Sequence, residues 1–71
     1  MPFLTERRIE LNLSQQQLAE RVGVHQSTIS YYERGGGISP KRLQKLTAAL
    51  DLDPISVARL VSELGTEADS E

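Results

Sequence analysis

The sequence contains no cysteine and a single histidine. Without cysteine, neither a disulfide nor a thiolate metal site can brace the fold, and one histidine excludes most histidine-based metal sites. We therefore expect no metal and no cofactor. A chain of 71 residues buries only about 60% of the surface that its unfolded form exposes. Its stability must come from tight helix packing or from oligomerisation.

Long apolar segments are also missing. No apolar run approaches the roughly 20 residues that span a bilayer. Arg7 and Arg8 interrupt the N-terminal segment before the apolar part of a signal peptide could form. Together with the absence of cysteine, this predicts a cytoplasmic protein with no membrane partner.

The charge is low overall but unevenly distributed. The net charge is −2 and the isoelectric point is about 5.3, which taken alone argues mildly against a nucleic-acid partner. Residues 1–50, however, carry seven Lys or Arg and four acidic residues, a net charge of +3. Residues 51–71 carry one Arg and six acidic residues, a net charge of −5. The first part of the chain is therefore the candidate for binding a polyanion.

Helical spacing of apolar residues predicts five short helices and no strand, which is an all-α fold built as a compact five-helix bundle. The first predicted helix covers about residues 2–12. Ser14 is a good N-cap for the second, with Gln17 placed for a capping box, and Gly23 ends that helix. The third covers about residues 26–33.

The last two helices have the same start signal, a capping side chain followed by proline. Ser39-Pro40 opens the fourth helix and Asp53-Pro54 opens the fifth. We expect one domain over residues 1–64. The polar, acidic tail, residues 65–71, is expected to be disordered.

The most informative segment runs from Gln15 to Gly35 and reads QQQLAERVGVHQSTISYYERG. It predicts two short helices joined by a tight turn that contains Gly23, which is the layout of a helix-turn-helix. Ala19 is small enough for the two helices to approach closely, and Ile29 anchors the third helix on the second. The second helix of such a motif is free to enter a DNA major groove.

Several motifs occur together: LSQQQLAERVGV, QSTIS, YERG and a proline-started helix that contains LQKLTAAL. In combination they resemble the helix-turn-helix domains of phage repressors and Cro proteins, over about residues 4–64. The resemblance implies a lambda-repressor-like fold and a sequence-specific regulator of transcription. It would act mainly as a repressor that binds double-stranded DNA with the third helix in the major groove.

The third helix supplies the candidate base contacts. Ile29 and Tyr32 are expected to face inward, so a step of about 100° per residue places polar side chains outward: Ser27, Ser30, Tyr31 and Arg34. Gln26 lies at the tip, and its amide matches the N6 and N7 atoms of adenine. The resemblance implies base contacts for Gln26, Ser27 and Tyr31, and we add Ser30. The alternative is a solvated helix face.

Phosphate contacts are expected on both sides of that helix. The resemblance implies such a contact for Gln15, at the start of the second helix, where backbone N–H groups are also unpaired. His25 stands at the turn, and three cations flank the Gly35–Gly37 run: Arg34, Lys41 and Arg42. Ordinary solvent-facing charge is the alternative for these cations. The glycine run is interpreted as a turn that lets the backbone pass close to DNA.

Arg8 and Glu33 lie on the core-facing sides of their helices by angular spacing. An unpaired buried charge is costly, so we expect the two side chains to form an ion pair. The resemblance also implies a structural Arg–Glu pair at these positions. We interpret the pair as a structural link between the first helix and the third.

A domain this small covers little DNA, so two copies on a palindromic operator are expected. The fifth helix has an apolar face that we predict to be partly the interface of a homodimer: Val57, Leu60, Val61 and Leu64. The alternative is that the whole face belongs to the core.

A second class of function is a protein-interaction module, antitoxin-like or an anti-regulator, in which the acidic end contacts a basic protein partner. DNA binding that survives competition by bulk nucleic acid favours the regulator, and salt-insensitive binding to a protein favours the module. An enzyme is not expected, because no nucleophile–base pair or metal cluster is present in the sequence.

Overall fold

The computed structural model describes residues 1–65, and the remainder of the predicted tail, residues 66–71, lies outside this range. The described residues form five α-helices and no β-strand: α1 (Phe3–Glu10), α2 (Gln15–Val22), α3 (Gln26–Glu33), α4 (Pro40–Ala49) and α5 (Pro54–Glu63). The predicted all-α class is confirmed.

The first helix is shorter than predicted at its C-terminal end. It ends at Glu10, and Asn12 adopts a φ of 58°, in the left-handed region. Asparagine visits this region more readily than most residues, because its short polar side chain can bond locally. The prediction that helix 1 reaches Asn12 is therefore wrong, since this residue turns the chain toward Leu13 and α2.

The second helix begins and ends as predicted. The Ser14 hydroxyl accepts a hydrogen bond from the Gln17 backbone N–H at 3.0 Å, and the Gln17 side chain accepts one from the Ser14 N–H at 2.9 Å. These two bonds form the predicted capping box. At the other end Gly23 has a φ of 86°, a conformation that glycine adopts without steric cost.

The starts of α4 and α5 are also confirmed. The Ser39 hydroxyl accepts from the Arg42 N–H at 3.4 Å, and the Asp53 carboxylate accepts from the Ser56 N–H at 3.2 Å. Hydrogen bonding by Ser56 holds the pKa of the Asp53 carboxyl below its ordinary value, since the charged form is the one that accepts the bond.

The core draws on every helix and on three connecting segments. Leu13, Ile38 and Leu50 are buried although they lie between helices, and Leu64 is buried just after α5. The buried apolar side chains are Phe3, Leu4, Leu13, Leu18, Ala19, Val22, Ile29, Tyr32, Ile38, Leu46, Leu50, Leu60 and Leu64.

Helix α3 rests on two others. It contacts α2 and α1, while α2 also packs on α4 and α1 on α5. Ile29 and Tyr32 point into this support, with exposed fractions of 0% and 3%. The opposite side of α3 is consequently left open.

Residues of α1 contact the C-terminal end of α4 and the helix α5. The Arg7 guanidinium donates to the Leu50 and Asp51 carbonyls at 3.1 and 3.3 Å, so it satisfies carbonyl groups where α4 ends. The Phe3 N–H donates to the Glu63 carboxylate at 2.7 Å, and the Arg59 guanidinium lies 4.8 Å from the centre of the Phe3 ring.

Among the described helices, none is long and apolar enough to cross a bilayer.

Candidate nucleic-acid interface

The open side of α3 presents most of the side chains predicted to contact bases. Gln26, Ser27 and Tyr31 are exposed, and Ser30 is half-buried. His25 is the N-cap residue of α3, but its side chain makes no capping hydrogen bond. The N-terminal turn of α3 therefore keeps backbone N–H groups without a side-chain acceptor, and such groups attract anions.

Gln26 is held at the tip of α3 by the preceding helix. Its Nε2 donates to the Oε1 atom of Gln15 at 3.3 Å. One N–H and the carbonyl oxygen of the Gln26 amide remain available, because an amide nitrogen carries two donors. These are the two groups that adenine recognition requires.

Gln15 in turn connects this tip to the ion pair expected from the sequence. The Nε2 of Gln15 donates to one oxygen of Glu33 at 2.9 Å, and the Nε of Arg8 donates to the other at 2.6 Å. The Arg8 and Glu33 side chains are only 14% and 10% exposed. Arg8 also donates to the Leu13 carbonyl at 2.7 Å, so one network joins α1, α2 and α3.

A polar cavity of about 250 Å³ brings three of the predicted DNA contacts together, and its lining comprises Ser27, Thr28, Tyr31, Tyr32, Gly37 and Arg42. Arg42 is exposed and lies in the first turn of α4. A guanidinium and four hydroxyl-bearing side chains thus line one concave surface beside α3. That combination suits an acceptor-rich ligand such as a phosphate or a base edge.

The other predicted phosphate contacts are not among the residues that line this cavity. The Arg34 guanidinium lies back along the helix and donates to the Ser30 hydroxyl at 2.9 Å, so these two side chains are bonded to each other. Lys41 and His25 are exposed. At the start of α4 the Arg42 N–H is occupied by Ser39, which reduces the number of unpaired N–H donors expected there.

The predicted dimer face needs correction. Leu60 is 0% exposed and Leu64 is 5% exposed, so both belong to the core of the chain. They pack inward because α5 closes on α1. Val57 and Val61 are half-buried. Sequence reasoning missed Ile55, which is 80% exposed near the start of α5.

Two further relationships were missed because they join residues that are distant along the chain. One is the Gln15–Gln26 hydrogen bond. The other is the contact of Tyr31 with the glycine run, in which the Gly37 N–H donates to the Tyr31 hydroxyl at 3.3 Å. The sequence points to each of these residues separately, because helical spacing describes one helix at a time and does not predict contacts between segments.

The supported α3 helix, its exposed polar side and the tight αL turn before it are the elements of a DNA-reading motif. A helix-turn-helix family model matches residues 4–57, which is most of the chain. The chain belongs to this helix-turn-helix family, of the Cro/C1 type. No match was found among solved structures. Membership supports a DNA-binding regulator, with α2 and α3 as the motif helices.

Proposed function

We propose that this helix-turn-helix protein is a sequence-specific transcriptional repressor that binds double-stranded DNA as a homodimer on a palindromic operator. Helix α3 lies in the major groove, where each base pair presents a distinct pattern of donors and acceptors. Gln26, Ser27, Ser30 and Tyr31 contact bases. Gln15, His25, Arg34, Lys41 and Arg42 contact the phosphates on either side.

The observation that carries this proposal is the hydrogen bonding of the Gln26 amide. The 3.3 Å hydrogen bond to Gln15 restricts the side chain but leaves one donor and the acceptor available. A side chain that is already restricted loses less entropy when it binds. This arrangement supports adenine recognition by Gln26, and the remaining N–H of the Gln15 amide supports a contact with the adjacent phosphate.

The charge of the domain explains why two copies are needed. A net charge of +3 over residues 1–50 provides modest attraction to phosphates. Two recognition helices about 34 Å apart, one turn of B-DNA, would double the contacts on a palindromic site. Because Leu60 and Leu64 are buried, the exposed Ile55 and the half-buried Val57 and Val61 of α5 are left for contact with the second copy.

Selection from randomised double-stranded DNA at two salt concentrations tests the proposal. We expect a palindromic consensus and binding that survives an excess of unrelated DNA. Gln26→Ala should cost about 1–3 kcal/mol and relax the preference at one base pair in each half-site. Gln44→Ala is the matched control, because Gln44 is exposed on α4. Unchanged affinity and preference in Gln26→Ala would remove the base-contact role, and the absence of any selected sequence would contradict the function itself.

A further inference from the structure

The three consecutive glycines after α3 do not share one structural reason. Gly35 has a φ of 87°, which favours glycine, whereas Gly36 has no positive φ. The backbone at position 36 would therefore accept other residues. The reason for glycine there is found in the space that a side chain would occupy.

That space is filled by Tyr31. A Cβ atom on Gly36 would lie 2.5 Å from the Cδ2 and Cζ atoms of the Tyr31 ring, well inside van der Waals contact. The Tyr31 hydroxyl also accepts the hydrogen bond from the Gly37 N–H at 3.3 Å. Backbone atoms of the glycine run therefore hold both the ring and the hydroxyl of Tyr31, which is 44% exposed.

The hydrogen bond from the Gly37 N–H also determines which hydrogen-bonding group of the Tyr31 hydroxyl remains available to a ligand. A phenol carries one donor hydrogen and accepting lone pairs. Because an accepting lone pair faces the Gly37 N–H, the hydroxyl hydrogen remains available to a ligand. Major-groove acceptors of this kind are purine N7, guanine O6 and thymine O4.

We propose that Gly36 and Gly37 are positioning residues for specificity: they fix Tyr31 as a hydrogen-bond donor to one base acceptor. This inference rests on the proposed DNA-binding function. The position of Tyr31 beside Ser27 and Arg42 in the same cavity supports it. The specificity of α3 is then set partly by a segment outside the helix.

The test compares Gly36→Ala with Gly65→Ala. A Cβ atom on Gly65 would make an ordinary contact, 3.5 Å from the Gly37 Cα, so Gly65→Ala changes the same neighbourhood without meeting Tyr31. Since a tyrosine ring can rotate away, Gly36→Ala should displace Tyr31 and leave thermal unfolding close to that of wild type. Tyr31→Phe, which removes only the hydroxyl, is the second variant.

Two readouts separate positioning from a general structural effect. In amide NMR spectra of the free protein, both Gly36→Ala and Tyr31→Phe should shift the Gly37 N–H signal. In DNA selection, both should lose the same base preference, by roughly 2- to 12-fold, the worth of one hydrogen bond. The double variant should lose no more than either single variant. Gly65→Ala should retain the preference.

The inference is overturned if Tyr31→Phe leaves both the Gly37 signal and the base preference unchanged. It is also overturned if Gly36→Ala retains the preference, or weakens binding to all sequences equally. A wild-type protein without any sequence preference would instead contradict the proposed function. The Gly37 signal would still report whether the glycine run holds Tyr31.

Discussion

The ion pair between Arg8 and Glu33 predicts a large loss of stability from a very small change, Glu33→Gln. Both carboxylate oxygens are occupied, one by Arg8 at 2.6 Å and the other by Gln15 at 2.9 Å. An amide has only one oxygen, so one of these donors would face an NH2 group. The Arg8 guanidinium would also lose its counter-ion at a site that is only 14% exposed.

Breaking a fully buried pair costs about 3–5 kcal/mol. The residual exposure and the Leu13 carbonyl that still accepts from Arg8 reduce this, so we expect about 2–4 kcal/mol. A domain of this size has a total stability of about 4–10 kcal/mol. The midpoint of thermal unfolding should therefore fall by roughly 10–30 °C, which circular dichroism measures directly.

Glu10→Gln is the matched control. The Arg7–Glu10 pair, at 3.3 Å, is far more exposed, with Glu10 at 66%. The same substitution there should cost less than about 0.5 kcal/mol. Removing both charges with Arg8→Met and Glu33→Met should be less destabilising than Glu33→Gln, because no charge is left unpaired. If Glu33→Gln and Glu10→Gln unfold at the same temperature, the argument from burial is refuted.

Three other predictions follow from the charges and exposed surfaces. The lowered pKa of Asp53 contributes stability that is present above its ordinary value of 3.8 and is lost as the pH falls through the lowered value. Asp53→Asn, which keeps a capping side chain, should accordingly lose less stability in acid denaturation, and an identical acid profile would argue against the Asp53 contribution. Arg42→Glu should weaken binding to all DNA sequences about equally and make the salt dependence less steep, whereas a loss confined to one sequence would contradict a phosphate contact. Ile55→Asp should abolish dimerisation in sedimentation experiments on the DNA complex without unfolding the monomer, since Ile55 is 80% exposed. Leu64→Asp should instead unfold the domain, because Leu64 is buried. An intact dimer of Ile55→Asp would exclude this face as the interface.

Much of the fold was predictable because its signals are local. Ser14, Ser39 and Asp53 each bond to an N–H three residues later, so their effect is contained in a few adjacent letters. Gly23 supplies the left-handed turn of the motif by itself. The end of α1 was missed because the left-handed conformation of Asn12 is a weaker signal than glycine.

The candidate site was only partly predictable. Helical spacing placed Ser27 and Tyr31 outward and Arg8 and Glu33 inward, because each statement concerns one helix. Spacing does not determine how much of an amphipathic face is covered by neighbours. The apolar face of α5 was therefore assigned too freely to a dimer, although Leu60 and Leu64 are core.

By itself the sequence determined the five helices, the turn between α2 and α3 and the side of α3 that faces outward, since caps, glycine and periodicity act over a few residues. Only the tertiary structure decided what those side chains do together. The packing of α2 on α3 joins Gln15 to Gln26, and the turn after α3 places Gly36 and Gly37 against Tyr31. These contacts depend on how the helices and the turn pack against one another, and local sequence patterns do not specify that packing.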